Sequence, residues 1–218
     1  MIIAVDGSAA SGKGTLAKRL ATHLGYDYLD TGALYRAVAL SLINAGVDVD
    51  NIDENQAVEV SSKLDLTLTN SPLIRNDKVA SLASKVAAMG RVRNQLLTLQ
   101  RHFAAAPARR RGAVLDGRDI GTVVLPDADC KFFIDADDTV RAERRTKELR
   151  DAGQSAMFRA VLAEMQARDA RDRTRSIAPL RAADDAVTID TSSLDADTVF
   201  ATVLSHVDRH MKSAPKPD

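Results

Sequence analysis

The chain has 218 residues, 45% of them hydrophobic, enough for one main domain with insertions and too few for two independent cores. Thirty basic and thirty acidic side chains cancel and aromatics are only 4%, so no global field or stacking platform recruits nucleic acid or an anionic membrane. A lone Cys130 excludes an internal disulfide, no Cys/His cluster has zinc spacing, and no stretch approaches the roughly 18 apolar residues of a membrane span. Strand residues begin at Ile2 with no leader ahead of them, so the expectation is a reduced, cytoplasmic protein.

The first apolar run, residues 2–5, predicts a buried strand. Gly7-Ser8-Ala9-Ala10-Ser11-Gly12-Lys13-Gly14-Thr15 follows, and a helical pattern covers 14–24. Strand, glycine-rich loop and helix in that order form a phosphate cradle. The glycines let backbone N–H groups converge on phosphate oxygens, the helix turns its positive dipole end toward them, and Lys13 reaches the outer phosphates. These nine residues are therefore expected to bind a nucleoside triphosphate. The usual P-loop has Ser or Thr directly after the lysine as a magnesium ligand, whereas here Gly14 intervenes before Thr15. That variant resembles the loop of nucleoside monophosphate kinases, in which the metal is held largely through water and the phosphates.

A second strand is predicted at 28–29 and a helix at 33–45, with Leu29-Asp30-Thr31-Gly32-Ala33-Leu34-Tyr35-Arg36 at their junction. Arg36, about one turn into the helix, can neutralise an acceptor phosphate near the donor's γ-phosphate; an exposed helical arginine is the alternative. Residues 48–111 break the alternation. They hold an acidic patch (Asp48, Asp50, Asp53, Glu54), a short possible strand at 65–69, the turn Asn70-Ser71-Pro72 and two helical patterns, and read as an insertion covering the acceptor. Arg109-Arg110-Arg111, between Pro107 and Gly112, reads as a solvated turn.

A third strand at 113–115 leads into Asp116-Gly117-Arg118-Asp119-Ile120-Gly121-Thr122, more charge just beyond a buried strand than packing requires. A fourth strand at 131–134 precedes a helix at 139–150, whose Arg141, Arg144, Arg145 and Arg150 border an expected lid at about 145–160. The next helix, 155–171, runs on toward Arg175, so that Arg168, Asp172 and Arg175 at i, i+4 and i+7 share one face. An exposed ion-pair ladder is the alternative there. A fifth strand at 186–189, a helix at 195–211 and an aperiodic tail at 212–218, expected to be disordered, complete the chain.

Strands alternating with helices predict an α/β protein of the P-loop NTPase fold, a five-stranded parallel doubly wound sheet flanked by helices. Its core covers about 1–47 and 112–211 as a single kinase domain, the insertion 48–111 being shortened. Strands end in Asp6, Asp30, Asp116 and Asp135, and ligands collect at the carboxyl ends of parallel strands, so some of these acids should face the site. Asp135 reads instead as a cap for the next helix or turn.

Taken together, these motifs resemble the bacterial cytidylate kinase family over about residues 2–204. The resemblance rests on Gly12-Lys13-Gly14-Thr15, the Leu29 to Arg36 block, Ala83-Ser84-Lys85-Val86-Ala87-Ala88 with Arg91-Val92-Arg93, Asp116 to Val124, and Arg168 to Leu180. It implies ATP-dependent phosphorylation of CMP and dCMP in pyrimidine nucleotide metabolism. No extra apolar stripe is left over, so a monomer is expected, and the balanced charge and few aromatics lead to the expectation of no nucleic-acid or membrane partner. Mg²⁺ would accompany ATP, with no metal ligand assigned in the protein. By the same resemblance Ser84, Arg93 and Asp119 contact cytosine, Arg36 and Arg118 the acceptor phosphate, and Arg168, Asp172 and Arg175 the ribose and neighbouring groups. Thr31 keeps a hydroxyl where the family often has Ser, and Lys13, Arg36, Arg118 and the lid arginines Arg144 and Arg145 would stabilise the transferring group. One departure is the insertion, in which Leu68 to Leu73 leads almost directly to Ile74-Arg75 without the family's longer hairpin.

In-line transfer between two anions needs positioning and positive charge rather than a general base. A kinase acting on a small metabolite such as shikimate is the nearest alternative, and it would not need the Ser84, Arg93, Asp119 set. A GTP-dependent switch is the alternative from another class, but such proteins carry an Asn-Lys-x-Asp motif that this chain lacks.

Overall fold

The computed structural model describes residues 1–49, 51–106 and 112–213. Asp50 of the acidic patch, the Arg109-Arg110-Arg111 turn and residues 214–218 of the tail lie outside them. The first part of the chain forms β1 (Ile2–Gly7), α1 (Lys13–Leu24), β2 (Asp27–Asp30) and α2 (Thr31–Asn44). The insertion supplies α3 (Glu54–Ser62), α4 (Asp77–Val86) and α5 (Gly90–Ala105). Then come β3 (Ala113–Gly117), β4 (Cys130–Asp135), α6 (Asp138–Asp151), α7 (Phe158–Thr174), β5 (Val187–Asp190) and α8 (Ala196–Ser213).

All strand pairings are parallel and run in the order β2-β3-β1-β4-β5, the predicted five-stranded sheet. The chain moves to one side of β1 and later to the other, so the loop after β1 lies at the switch point where open α/β sheets bind ligands. Alternation along β1 explains its burial on both faces. Ile3 and Val5 pack with Leu16 and Leu20 of α1 and Val199 and Val203 of α8, while Ala4 joins Leu115, Ile120 and Val124. The insertion has its own apolar centre, built from Val38 and Leu42 of α2, Ala57 of α3, Val79 and Leu82 of α4 and Leu96 of α5.

The structure departs from the sequence expectations at several points. Residues 65–69 are no strand but enter a 3₁₀ turn, Leu66–Asn70, because the Asp65 carboxylate accepts from the Thr67 N–H at 2.9 Å and commits the backbone locally. The acidic patch hides the start of α3, where the Gln56 side-chain oxygen reaches back to the Asp53 N–H at 3.4 Å. Helix α8 continues to Ser213, so Lys212 belongs to it and not to the tail. Asp6 does not face the site either: buried, it accepts from the N–H groups of Ile120 and Gly121, both at 2.8 Å, and ties β1 to the π-turn Ile120–Val124. Burial pushes its carboxyl up to about 7, against the pull of those two bonds.

Gly7 shows how tightly the loop is set against the sheet. Its φ is +150°, and a Cβ there would stand 1.9 Å from the Ile134 carbonyl oxygen, in the β4 residue paired with it. Gly25, the C-cap of α1 at φ +67°, faces open space instead. Gly25→Ala should therefore cost only the left-handed penalty of about 1–2 kcal/mol, whereas Gly7→Ala should abolish cooperative folding or lower the urea midpoint several-fold more. Equal midpoints for the two variants would contradict this packing.

Candidate functional site

The P-loop is held from behind by side chains of β4, α6 and the segment after β5. Ser8 Oγ donates a short hydrogen bond to Asp135, Ser11 Oγ donates to the Ser8 carbonyl at 3.0 Å, and Thr191 Oγ1 donates to the Ser11 carbonyl at 3.0 Å. Arg141, 1% exposed at its side chain, donates to the Ala9 carbonyl at 3.1 Å and pairs with Asp169 of α7 at 2.6 Å. Asp135 is not the cap of α6, which is Asp137, accepting from the Thr139 N–H at 2.8 Å; Asp135 accepts from the adjacent Ala136 N–H at 3.0 Å and secures the loop through Ser8. Arg144 belongs to this scaffold. Its guanidinium donates to the Thr191 carbonyl at 2.6 Å and hydroxyl at 3.1 Å, and it does not line the cleft, which corrects its expected place beside the transferring group.

In front of the loop lies a cleft of about 350 Å³. Ala9, Ala10 and Lys13 border it from the P-loop, Thr31 and Arg36 from α2, and Ser84 and Arg93 from α4 and α5. Arg118 and Asp119 enter from the end of β3, Arg145 from α6, and Arg168, Asp172 and Arg175 from α7 and its C-cap. Residues scattered over the whole sequence thus meet around one space. The other loop residues, Gly7, Ser8, Ser11, Gly12, Gly14 and Thr15, shape the cradle without lining that space.

Inside the cleft most of the arginines are paired with carboxylates. Arg36 pairs with Asp30 at 2.6 Å, and Gly32 makes the room, since a Cβ there would lie 3.0 Å from Arg36 Nη1. Arg93, buried, makes a short ion pair with Asp119 and donates to the Ala87 carbonyl at 3.1 Å. Asp172 accepts from Ser84 Oγ at 2.9 Å and faces Arg118 at 3.4 Å and Arg168 at 3.9 Å. Arg175 stands 3.7 Å from Asp119 and donates to the Ala178 carbonyl at 2.6 Å. Even so, Arg36 Nε, Arg168 Nε and one terminal nitrogen of Arg175 are buried without a hydrogen-bond acceptor. An unpaired buried donor costs roughly 1–3 kcal/mol, and donors converging on a cleft suit an anionic ligand.

The structure also shows which strand-ending acids reach the site and adds residues from α2 and the insertion. Of the acids that end strands, Asp30 and Asp116 line the cleft, facing each other in the β2–β3 register. Tyr28 donates to Asp116 at 3.1 Å, and a Cβ on Gly14 would lie 3.3 Å from the other Asp116 oxygen. A carboxylate therefore stands where the usual P-loop side chain would project. Tyr35 lies under the Arg93 guanidinium, 5.6 Å from its ring centre, and Arg75 and Asp77 border the cleft from the insertion. Helix periodicity alone marks Tyr35 as core, and no sequence pattern singles out Asp77. The Thr31 hydroxyl donates to the Asp116 carbonyl at 2.8 Å, joining the start of α2 to β3.

Burial, and then the neighbouring Arg118, pull the Lys13 ammonium down to about 7, against Asp116 and Asp30. Burial and then Asp30 push Asp116 up to about 6. Burial also pushes Asp119 up, opposed by Arg93 and Arg175. For Asp172 burial works in the same sense, but Arg118 and Arg168 outweigh it and leave the carboxyl below its ordinary value.

Residues 3–209 match the family model described as cytidylate kinase. A cytidylate kinase of Paramagnetospirillum magneticum is 53% identical over 204 residues, covering 93% of this chain and 95% of its own. Another, from a Bradyrhizobium species, is 52% identical over 208 residues, with 95% and 96% covered. A solved structure of a Eubacterium ventriosum protein shares the fold at TM-score 0.55 with 16% identity, over 95% of this chain and 98% of the other.

Protonated Lys13 attracts phosphate and the neutral amine does not, so affinity for metal-free triphosphate should fall as pH rises through about 7. Lys13→Arg keeps its charge at all these pH values and should flatten that limb. Calorimetric titration of both forms between about pH 6 and about pH 9 reads the difference; parallel profiles would contradict the assignment to Lys13.

Proposed function

The chain belongs to the cytidylate kinase family and catalyses ATP-dependent phosphorylation of CMP and dCMP, and we propose that its cleft residues divide that work as follows. Lys13 and the P-loop amides hold the outer phosphates of ATP, with α1 directing its positive end toward them. Arg36 and Arg118 hold the acceptor phosphate, and Arg145 neutralises charge on the transferring group. Ser84, Arg93 and Asp119 read cytosine, while Arg168, Asp172 and Arg175 orient the ribose and the groups beside it. A single chain supplies all of these groups, which supports a monomer as the active unit.

The donor set also suits Mg²⁺. Asp116, with Asp30 beside it, offers hard carboxylate oxygens next to Gly14 and Lys13, where the loop has no hydroxyl directly after the lysine. These two acids would hold the ion directly or through water, and the ion would neutralise charge on the donor phosphates. Tyr28 fixes the Asp116 carboxylate for that purpose. No general base is required, because the attacking acceptor oxygen is already ionised. What the chain contributes is alignment: acceptor phosphate over donor phosphate, flanked by guanidinium groups that need no reorganisation during transfer. The segment at about 145–160, with Gly153 at φ +75° between α6 and α7, serves as the lid that excludes water.

The observation that carries this division is the convergence of Ser84, Arg93, Asp119 and the α7 residues on the space that Lys13 borders. Base choice follows from hydrogen-bond chemistry. Asp119 accepts from the exocyclic amine of cytosine, whereas uracil presents a carbonyl there and leaves two acceptors facing each other. ADP formation with separate CMP, dCMP, UMP and AMP acceptors should be fast only with the first two. Asp119→Asn should narrow the CMP preference over UMP by about tenfold or more, a change of about 1.4 kcal/mol. An unchanged CMP/UMP ratio of kcat/KM would remove Asp119 from base reading.

A further inference from the structure

Arg145 has partners on both sides of the cleft. It projects from α6, pairs with Glu148 of the same helix at 3.0 Å, and reaches over to the insertion. There it stands 2.5 Å from an Asp77 carboxylate oxygen and donates to the Arg75 carbonyl at 3.2 Å. Asp77 is the first residue of α4, and Ser84 follows it by seven positions, two turns along the same helix. Helix capping does not need Asp77, because the Asn76 side chain already accepts from the Val79 N–H at 2.8 Å.

The exposures of the pair differ in a useful way. The Arg145 side chain is 18% exposed and that of Asp77 is 40% exposed, so the guanidinium is partly desolvated while its partner is open to water. The guanidinium holds Asp77 through one terminal nitrogen and the exposed Glu148 through the other, so it can exchange the Glu148 carboxylate for the more highly charged phosphates of a nucleotide while keeping its hold on Asp77.

We propose that Asp77 is a positioning residue: it holds Arg145 across the cleft, ties the helix carrying Ser84 to α6, and thereby couples acceptor binding to donor binding. The coupling rests on the reading above that Arg145 meets the transferring phosphates. When CMP orders α4 through Ser84, the Asp77 contact places Arg145 over the donor side before ATP arrives. Linkage requires the reverse as well: a bound donor must tighten CMP by the same factor.

The test measures that factor by calorimetry. CMP affinity is compared with and without a non-hydrolysable ATP analogue and Mg²⁺, in the wild type, Asp77→Asn, Asp77→Glu and Arg145→Gln. In the wild type the analogue should tighten CMP by about fivefold or more, within the usual range of coupled sites. Asp77→Asn should bring the ratio close to unity with little change in melting temperature, and Asp77→Glu should restore it. A purely structural role would lower the melting temperature or both affinities while leaving the ratio intact. A wild-type ratio of unity, an unchanged ratio in Asp77→Asn, or no recovery in Asp77→Glu would overturn the proposal. Arg145→Gln separates the two levels. Weakened binding of the analogue to Arg145→Gln, together with intact coupling in Asp77→Asn, would defeat the latch alone. Unweakened binding of the analogue would defeat the donor-side reading of Arg145, and the latch with it.

Discussion

A pocket for two phosphate-bearing molecules must gather positive charge in a partly dry space, and guanidinium groups gathered that closely raise one another's energy. Arg168 records the strain: burial, and then the neighbouring Arg118, pull its guanidinium down to about 10. The fold meets this constraint with an interleaved set of carboxylates. Asp30 holds Arg36, Asp119 lies between Arg93 and Arg175, and Asp172 lies between Arg118 and Arg168. Truncating one partner of a buried pair costs about 3–5 kcal/mol, so the acids that restrain the cations are structurally as necessary as the cations themselves. The same pairing keeps the arginines oriented before substrate enters, which lowers the ordering cost of binding.

Helix α7 connects this charged cleft to the loop that faces it. Arg168 and Asp172 point into the cleft, while Asp169 pairs with Arg141 and Arg173 faces Asp135 at 3.4 Å, both on the P-loop's supporting side. Arg141 in turn holds the Ala9 carbonyl. One helix therefore places charged groups in the cleft with one face and steadies the P-loop backbone with the next. Its apolar anchors, Val161 and Met165 against Ala142 and Leu149 of α6, complete a small cluster separate from the sheet core. Few apolar groups hold α6 and α7 together, and polar contacts carry much of their placement.

Much of the site was legible in the sequence because its parts come as contiguous blocks. The glycine-rich loop, the Asp30 to Arg36 turn and the Asp116 to Thr122 turn each follow a strand, so the sheet order brings them together without further information. Arg168 and Asp172 were recoverable from helical spacing. The insertion was less legible, since its elements are short and packed through their own apolar cluster: α3 lay hidden in an acidic patch, and the run at 65–69 had strand composition but a local Asp65 turn. Arg144 and Arg145 show the limit most clearly. Adjacent residues on one helix diverge by about 100°, so one joins Thr191 behind the loop while the other enters the cleft.

The sequence by itself determined the strand–loop–helix order, the parallel sheet and the chemistry of a phosphate cradle, because periodicity and glycine placement act over a few residues. Only the tertiary structure decided which charged groups face each other. Asp77 meets Arg145 across 68 positions and Ser84 meets Asp172 across 88, and those distances close through the packing of whole helices, which no local pattern encodes.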